Sequence, residues 1–558
     1  MFPAMQDVSF NHGNIFPTLL HLSEINMSAE ETLIETRKAK HQELNGGTYP
    51  LAEEVIYYCL GGLIQYMAAN PQPVSLDPTQ LHQVRYVHGR ISNLRKSGGI
   101  TFIKLTDRTG SMQVIATKAS LADYDKLRLL DLGDIIEIKG YLCVSKTNEN
   151  SILIETWKVL TKSHRPPPEK FVGIADQELK YRKRYLDLMS SEESRARFVV
   201  RTHIIRAIRK FMEERNFMEV ETSTLCSLAS GANALPFTTH HNALDMEMYL
   251  RIAPELYLKR LLVGGYEKVY EIGRNYRNEG ISTRHNPEFT MMEYYEAYGR
   301  FPDLIVQTKS LLRDVRDHLR NNLPPNIAPF YQKWEAEHPF SLSQFVETPM
   351  WDAVVHACAT AEIMPGAYIH PLIRYPGTSS MGADIEIVNP ENERLKKIDI
   401  KGLFHALSNC TSNGEKIYAL FEYVAEPFLT EDYRSGDGKH SCPVFITQYP
   451  KDVSPLARTF DKCDTLCERF ELFIEGRELA NAFQELNDPD EQALRFQEQL
   501  EMNDKDPMAY DADYVEALEY GMPPAIGFGM GIDRLVMLLT NAESIKDVIL
   551  FPTLKPLR

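Results

Sequence analysis

Three stretches gather the side chains able to do chemistry. The first, VYEIGRNYRNEGISTRHNPEFTMMEYYE at 269–296, reads as two alternating strands around a loop carrying Arg274, Arg277, Glu279, Arg284, His285 and Glu288. A solvated hairpin tip would explain such a loop without a ligand. However, arginine at a strand end offers a fixed fork of donors that matches phosphate or carboxylate, so the loop also reads as a triphosphate cradle. The second, GFGMGIDR at 527–534, runs from an apolar strand into a helix that starts at Arg534, with Asp533 as its expected cap. Its glycines are two apart, which is not the dinucleotide fingerprint, and the chain has no GxxxxGK[ST] loop. A nucleotide would therefore be held by side chains such as Arg277 and Arg534. The third, 471–478 with 481–485, places Glu471, Glu478, Asn481 and Glu485 on consecutive stretches. Carboxylates so arranged suit Mg²⁺ bridged to phosphate oxygens, or else form a solvated acidic edge.

The elements that must position these residues follow from periodicity. Phe198, Ile204, Ile208, Phe211 and Met212 recur at helical spacing over 194–216, and FMEVET at 217–222 alternates as a half-buried strand. Further strands are expected at 268–274, 288–295, 444–447, 478–484 and 525–529, giving an antiparallel sheet with helices. Upstream, five short strands between 84 and 160 fit a small OB-type barrel. Phe102 is its candidate base-stacking platform, with Arg95 and Gln113 nearby, although the pattern alone also allows Phe102 to face the core. The stiff HRPPP at 164–168 marks a domain boundary. The cations between Lys162 and Arg184 form either a basic surface or a solvated linker. Residues 322–440 show no recognisable chemistry and read as an insertion with its own small fold.

Composition bounds the class. The chain has 558 residues, 43% apolar and 25% charged, enough for two to four soluble domains. A net charge of −16 argues against a general nucleic-acid binder and leaves room only for a local basic surface. The longest apolar run, 55–67, is too short to cross a bilayer and reads as a buried helix. With no signal-peptide pattern, a cytoplasmic location and no membrane partner are expected. The eight cysteines are scattered, and Cys463 and Cys467, expected on a helix, lack the further ligands zinc needs.

Taken in order, these stretches resemble the class II aminoacyl-tRNA synthetases, most closely the bacterial type of lysyl-tRNA synthetase. The helix with FMEVET is similar to the family's first motif, YRNEG with HNPEFT to the second, and GFGMGIDR to the third. The class I signatures HIGH and KMSKS are absent. The resemblance implies an α+β chain: a 1–75 appendage, an OB-fold anticodon-binding barrel at 80–162, a linker at 163–195, and a catalytic domain at 196–558 interrupted at about 322–440. It implies that Arg277 contacts the α-phosphate and the substrate carboxylate, and that His285 touches the distal phosphates. Glu279 and Asn286 would lie at the adenine edge, and Phe289 and Arg534 would sandwich the ring. Glu471 and Glu478 would bind Mg²⁺, with Asn481 assisting beside the amino acid. Gly231 and Glu255 would receive the α-amino group of L-lysine, and Glu293, Tyr295 and Glu485 its ε-ammonium. Arg95, Phe102 and Gln113 would read the anticodon of a lysine tRNA, and the enzyme would be a homodimer using ATP. Three positions depart from the family: Ser223 replaces a proline, Leu235 a cation and Gly99 a lysine. Two rivals remain at this point, a lysyl-transferase acting on a protein and a non-catalytic paralogue.

Overall fold

The computed structural model describes residues 29–52, 57–168, 174–232, 234–367, 369–370, 384–502 and 510–556. The chain divides into two compact units, Met1–Phe171 and Val172–Arg558.

In the first unit, helices α1 (Ala29–Asn45) and α2 (Leu60–Ala69) precede strands β1 (His82–Ser97), β2 (Ile100–Thr106), β3 (Ser111–Thr117), β4 (Ile135–Val144) and β5 (Asn150–Thr161). The strands close a barrel in the order β1-β2-β3-β5-β4, antiparallel except for β3 beside β5. Alternate residues such as Ile103, Leu105, Val114, Ile136 and Ile152 point inward and fill it. The helix expected at 55–67 begins later, at Leu60, where Asp107 accepts from the Leu60 N–H at 2.8 Å. Leu60, Leu63 and Met67 enter the barrel core. A Cβ at Gly61 would lie 2.8 Å from the Thr109 carbonyl, so the glycine permits the close approach.

The second unit is built from α3 (Glu192–Glu213), β6 (Met218–Glu219), α4 (Glu255–Val263), β7 (Lys268–Tyr276), β8 (Glu288–Ala297), α5 (Phe301–Asn322), β9 (Val346–Pro349), β10 (Val444–Pro450), β11 (Cys463–Ile474), β12 (Arg477–Gln484), α6 (Ala512–Glu519), β13 (Ala525–Gly531) and α7 (Ile532–Leu539). The main sheet runs β9-β10-β11-β12-β13-β8-β7-β6. Its six middle strands are antiparallel, and β9 and β6 add in parallel at the two ends.

Strand periodicity separates the two faces of this sheet. Tyr270, Met292, Tyr294, Phe470, Leu472, Ala480, Ala482, Phe528 and Met530 join α3, α5 and α7 in the main core. Their neighbours of opposite parity face the other way. There Glu293 pairs with Gly529, Gly529 with Asn481, and Asn481 with Glu471, a single polar rung across four strands.

Three expectations change. The FMEVET strand is only Met218–Glu219, an exposed edge held by two residue pairs to β7. Cys463 and Cys467 lie on strand β11, not on a helix, because β11 pairs on both sides and tertiary pairing overrides the i, i+4 spacing. All eight thiols are free. The segment 322–440 has its own apolar cluster, but that cluster is completed by Val444, Ile446, Tyr449 and Phe473, so the insertion sits on the edge of the sheet. Among the described residues no helix is long and apolar enough to cross a membrane.

Candidate active site

The β7–β8 hairpin places the arginine-rich loop at one end of the polar rung. Arg277 N–H donates to the Pro287 carbonyl at 2.9 Å, closing the loop directly above the last pair, Tyr276 with Glu288. The Arg277 guanidinium lies 5.3 Å from the centre of the Phe289 ring, and its Nε is buried with no hydrogen-bond partner among the described residues. A guanidinium with a buried, unused donor is a ready receptor for an anion. Across the sheet, β13 delivers Arg534 into α7, where Nη1 donates to Glu478 Oε2 at 3.2 Å and Nη2 lies 3.4 Å from His285 Nε2. Partial burial and then the Arg534 charge hold the His285 imidazole below its ordinary value. Asp533 does not cap α7, which starts at Ile532 behind Gly531. Its carboxylate instead accepts from Thr290 N–H at 2.7 Å and from Arg201 at 2.5 Å, tying β8 to α3. Glu279 is exposed at the loop tip. The Asn286 side chain donates to the Glu288 carbonyl at 2.6 Å and accepts from Thr553 N–H at 3.3 Å, bonds that shape the loop from inside.

The carboxylates divide into two groups. Glu471 lies on the polar face of β11, and a register shift pairs Glu478 with Phe473, which brings Glu478 onto the same face. Burial pushes Glu471 up to about 7, with Arg469 opposing and Glu478 adding. Both line a cavity of about 230 Å³ with Arg284, His285 and Arg534. Two further carboxylates there, Glu422 and Glu426, come from the insertion, which the sequence reading had left without chemistry. Burial, then Glu471, pushes Glu426 up to about 7. Among the described residues no three His, Cys, Asp or Glu side chains form a metal-binding group. A carboxylate pair such as Glu471 and Glu478 fits Mg²⁺, which takes few protein ligands and completes its shell with phosphate and water.

The second group forms a closed cage. Glu293 is buried, accepts from Tyr295 Oη at 3.1 Å, and is pushed up to about 8 by burial and by Glu255. Glu485 is fully enclosed, and apart from the Lys259 ammonium neither of its oxygens has a hydrogen-bond partner among the described residues. Glu255 opens α4 beside Gly231, whose φ of +91° brings the chain close to Ala253 and Glu255. Asn481 Oδ1 accepts from Arg469 Nε at 3.1 Å, and Arg469 also pairs with Glu471 at 2.6 Å. The site therefore offers an anion receptor at Arg277, a carboxylate cage and a separate cavity lined by both arginines and carboxylates.

Comparison with known proteins agrees. Residues 176–555 match the model of tRNA synthetases class II (D, K and N), and residues 86–160 match an OB-fold nucleic acid binding domain. The chain is 42% identical to a lysine–tRNA ligase of Legionella pneumophila (strain Lens) over 532 residues, covering 94% of this chain and 98% of that one. It is similarly 42% identical to one from Paraburkholderia phymatum, over 94% and 96%. It is 43% identical to the heat-inducible lysine–tRNA ligase of Escherichia coli (strain K12), over 84% and 86%. The chain belongs to the class II tRNA synthetases of the D, K and N group. It is an aminoacyl-tRNA ligase with an N-terminal OB-fold domain and an α+β catalytic domain.

In this synthetase the barrel gathers Arg95, Phe102 and Gln113 on one outer face. Arg95 is in register with Phe102, and Lys104, two residues further along β2, is in register with Gln113. Phe102 is half-buried over Ile115, Cys143 and Leu153, outside the main barrel core, with the Arg95 guanidinium 5.2 Å from its ring centre. Gln113 Nε2 donates to Ser151 Oγ at 2.9 Å.

Sequence reasoning missed three residues of the site: Lys259, Arg469 and Arg251. Arg251 links Thr222, Glu271 and the Arg274 carbonyl beneath the second motif. Only Lys259 had a visible signal, a cation inside the largely apolar run ELYLKRLLV four residues after Glu255. Of the three departures from the family pattern, Leu235 is half exposed and its carbonyl accepts from Asn278 N–H at 2.8 Å.

Proposed function

We propose that the synthetase activates L-lysine with ATP and transfers it to the 3′ end of a lysine tRNA. The cage of Glu255, Glu293, Tyr295 and Glu485 carries this reading, because buried carboxylates require a buried cation and reject a ligand that lacks one. Aspartate would add negative charge to the cage, and asparagine would leave its carboxylates unpaired.

Arg277 receives the lysine carboxylate and the α-phosphate together. Phe289 and Arg534 flank the adenine, Glu279 and the backbone around Asn286 lie at its edge, and His285 meets the distal phosphates. The carboxylate attacks the α-phosphorus in line, the bond to the β-phosphate oxygen breaks, and pyrophosphate leaves. No protein nucleophile is needed, and the arginines stabilise the charge that spreads over the transferring group. Mg²⁺ held by Glu471 and Glu478 would neutralise charge on the phosphate oxygens. A ribose hydroxyl of the tRNA then attacks the acyl carbon of the adenylate and releases AMP. The anticodon is read on the Arg95, Phe102 and Gln113 face. The working form is a cytoplasmic homodimer joined at the first-motif helix and the exposed edge strand β6.

ATP–pyrophosphate exchange tests the reading. Exchange should depend on lysine, and exchange driven by aspartate or asparagine instead would sink the assignment. Deleting residues 1–162 should abolish aminoacylation while adenylate formation persists. Unaffected aminoacylation would favour a protein-modifying transferase.

A further inference from the structure

Lys259 is a buried ionisable group beside the carboxylate cage that the mechanism does not use. Lys259 is the polar exception on a helix whose Leu256, Leu258 and Leu262 are buried, and it has no exposure itself. Its Nζ lies 2.7 Å from Glu255 Oε1 and forms a second ion pair with Glu485. The rings of Phe483 and Tyr514 close over it at 5.4 and 5.9 Å.

We infer that Lys259 is a specificity-determining positioning residue: its ammonium sets the charge of the carboxylate cage so that a ligand with two ammonium groups completes it. The inference rests on the lysine reading of the site. Three carboxylates, Glu255, Glu293 and Glu485, share one enclosed space with one internal cation. When all three ionise, two negative charges lack counter-ions, and the α- and ε-ammonium groups of L-lysine supply both. Arg277 takes the ligand carboxylate, so the filled cage is neutral. A ligand with a single ammonium forces one carboxyl to keep its proton.

The empty cage reaches neutrality with protons instead. Burial raises Glu293, with Glu255 adding and Arg251 and Arg277 opposing. Burial also raises Glu485 well above its ordinary range, with Lys259 opposing and Glu255 and Glu293 adding. The desolvation that would discharge Lys259 is outweighed by Glu255 and Glu485, so it stays charged. The facing phenols Tyr295 and Tyr514 are held neutral by burial. Lysine binding near neutral pH must therefore expel protons, and Lys259 balances the one carboxylate that the two ligand ammoniums leave over.

Calorimetric titration of the full-length enzyme with L-lysine near pH 7, in buffers of different ionisation enthalpy, is expected to count about one to two protons released per ligand. No release overturns the inference. Lys259→Met should raise the lysine KM at least about tenfold and leave kcat for exchange and the ATP KM within about threefold, because one carboxyl must then keep its proton in the filled cage. Adding Glu485→Gln to Lys259→Met restores the charge match, so the double variant should bind lysine more tightly than Lys259→Met alone. A lysine that only fills space would make the two substitutions additive, which overturns the proposal. Should Lys259→Met fail to fold, Lys259→Arg retains the charge and is expected to keep the wild-type proton count; a changed count is equally fatal. Wild-type exchange driven by another amino acid would remove the lysine reading and this inference with it. Lysine-dependent exchange without proton release removes the inference alone.

Discussion

Tyr295 and Gly527 stand opposite one another on β8 and β13, and the side chain that Gly527 lacks is the space the Glu485 carboxylate occupies. A Cβ at Gly527 would lie 1.9 Å from Glu485 Oε1 and 2.6 Å from Tyr295 Cε1. The glycine is there for room at the cage wall and carries no positive φ. Gly527→Ala should therefore raise the lysine KM by about tenfold or more and destabilise by about 1–3 kcal/mol through overpacking. Steady-state exchange kinetics with a thermal melt check both, and an unchanged KM would remove the cage from the binding site.

Arg277 should be indispensable to the first step. Arg277→Ala is expected to lower lysine-dependent exchange by about a thousandfold or more while the fold persists, since the side chain acts on charge in the transferring group. Exchange rate and circular dichroism measured together decide it. A rate within tenfold of wild type would refute the mechanism.

The cage also sets a pH dependence. Glu293 holds its proton in the folded, empty enzyme up to about 8, whereas its ordinary value is 4.5. The native state therefore binds more protons than the unfolded chain across that window, and stability falls as pH rises from 4.5 through about 8. The slope reaches at most about 1.4 kcal/mol per pH unit from this group. Melting curves of ligand-free enzyme between pH 5 and 8 should flatten in Glu293→Gln. A slope equal to wild type would show that the carboxyl ionises freely.

On the barrel, Phe102→Ala should weaken tRNA binding by about 1–3 kcal/mol, the worth of one stacked base, and leave lysine-dependent exchange untouched. Charging kinetics at varied tRNA concentration separate the two activities. A lost exchange reaction would instead point to misfolding.

Removal of divalent cation should stop exchange, and Mg²⁺ should restore it. Glu478→Gln should raise the Mg²⁺ concentration needed by about tenfold or more, as loss of one of two carboxylate ligands requires. Titration of activity against free Mg²⁺ measures this, and an unshifted curve would exclude Glu478 as a ligand.

Much of this was legible in the linear chain because it is local. The hairpin around Arg277 follows from two alternating runs and a charged loop, the barrel strands from short apolar alternation between turns, and the entry of Arg534 from glycines leading into a helix. The misreadings arose where local pattern was ambiguous. Cys463 and Cys467 sit four apart, yet β11 is fixed by partners far away in the sequence. Asp533 sits where a cap belongs, yet its carboxylate is claimed by Thr290 and Arg201.

The sequence by itself determined which charged side chains sit on the hairpin loop and that the chain has a barrel followed by a sheet, since both depend on short-range periodicity. Tertiary structure alone decided that Glu293, Gly529, Asn481 and Glu471 share one rung, because register is set by pairing across four strands. It also decided that Glu422 and Glu426 of the insertion wall the cavity around Glu471, Glu478 and Arg534, and that Lys259 is enclosed with Glu255 and Glu485. Burial and charge coupling exist only once distant segments exclude water together, and no spacing along the chain encodes them directly.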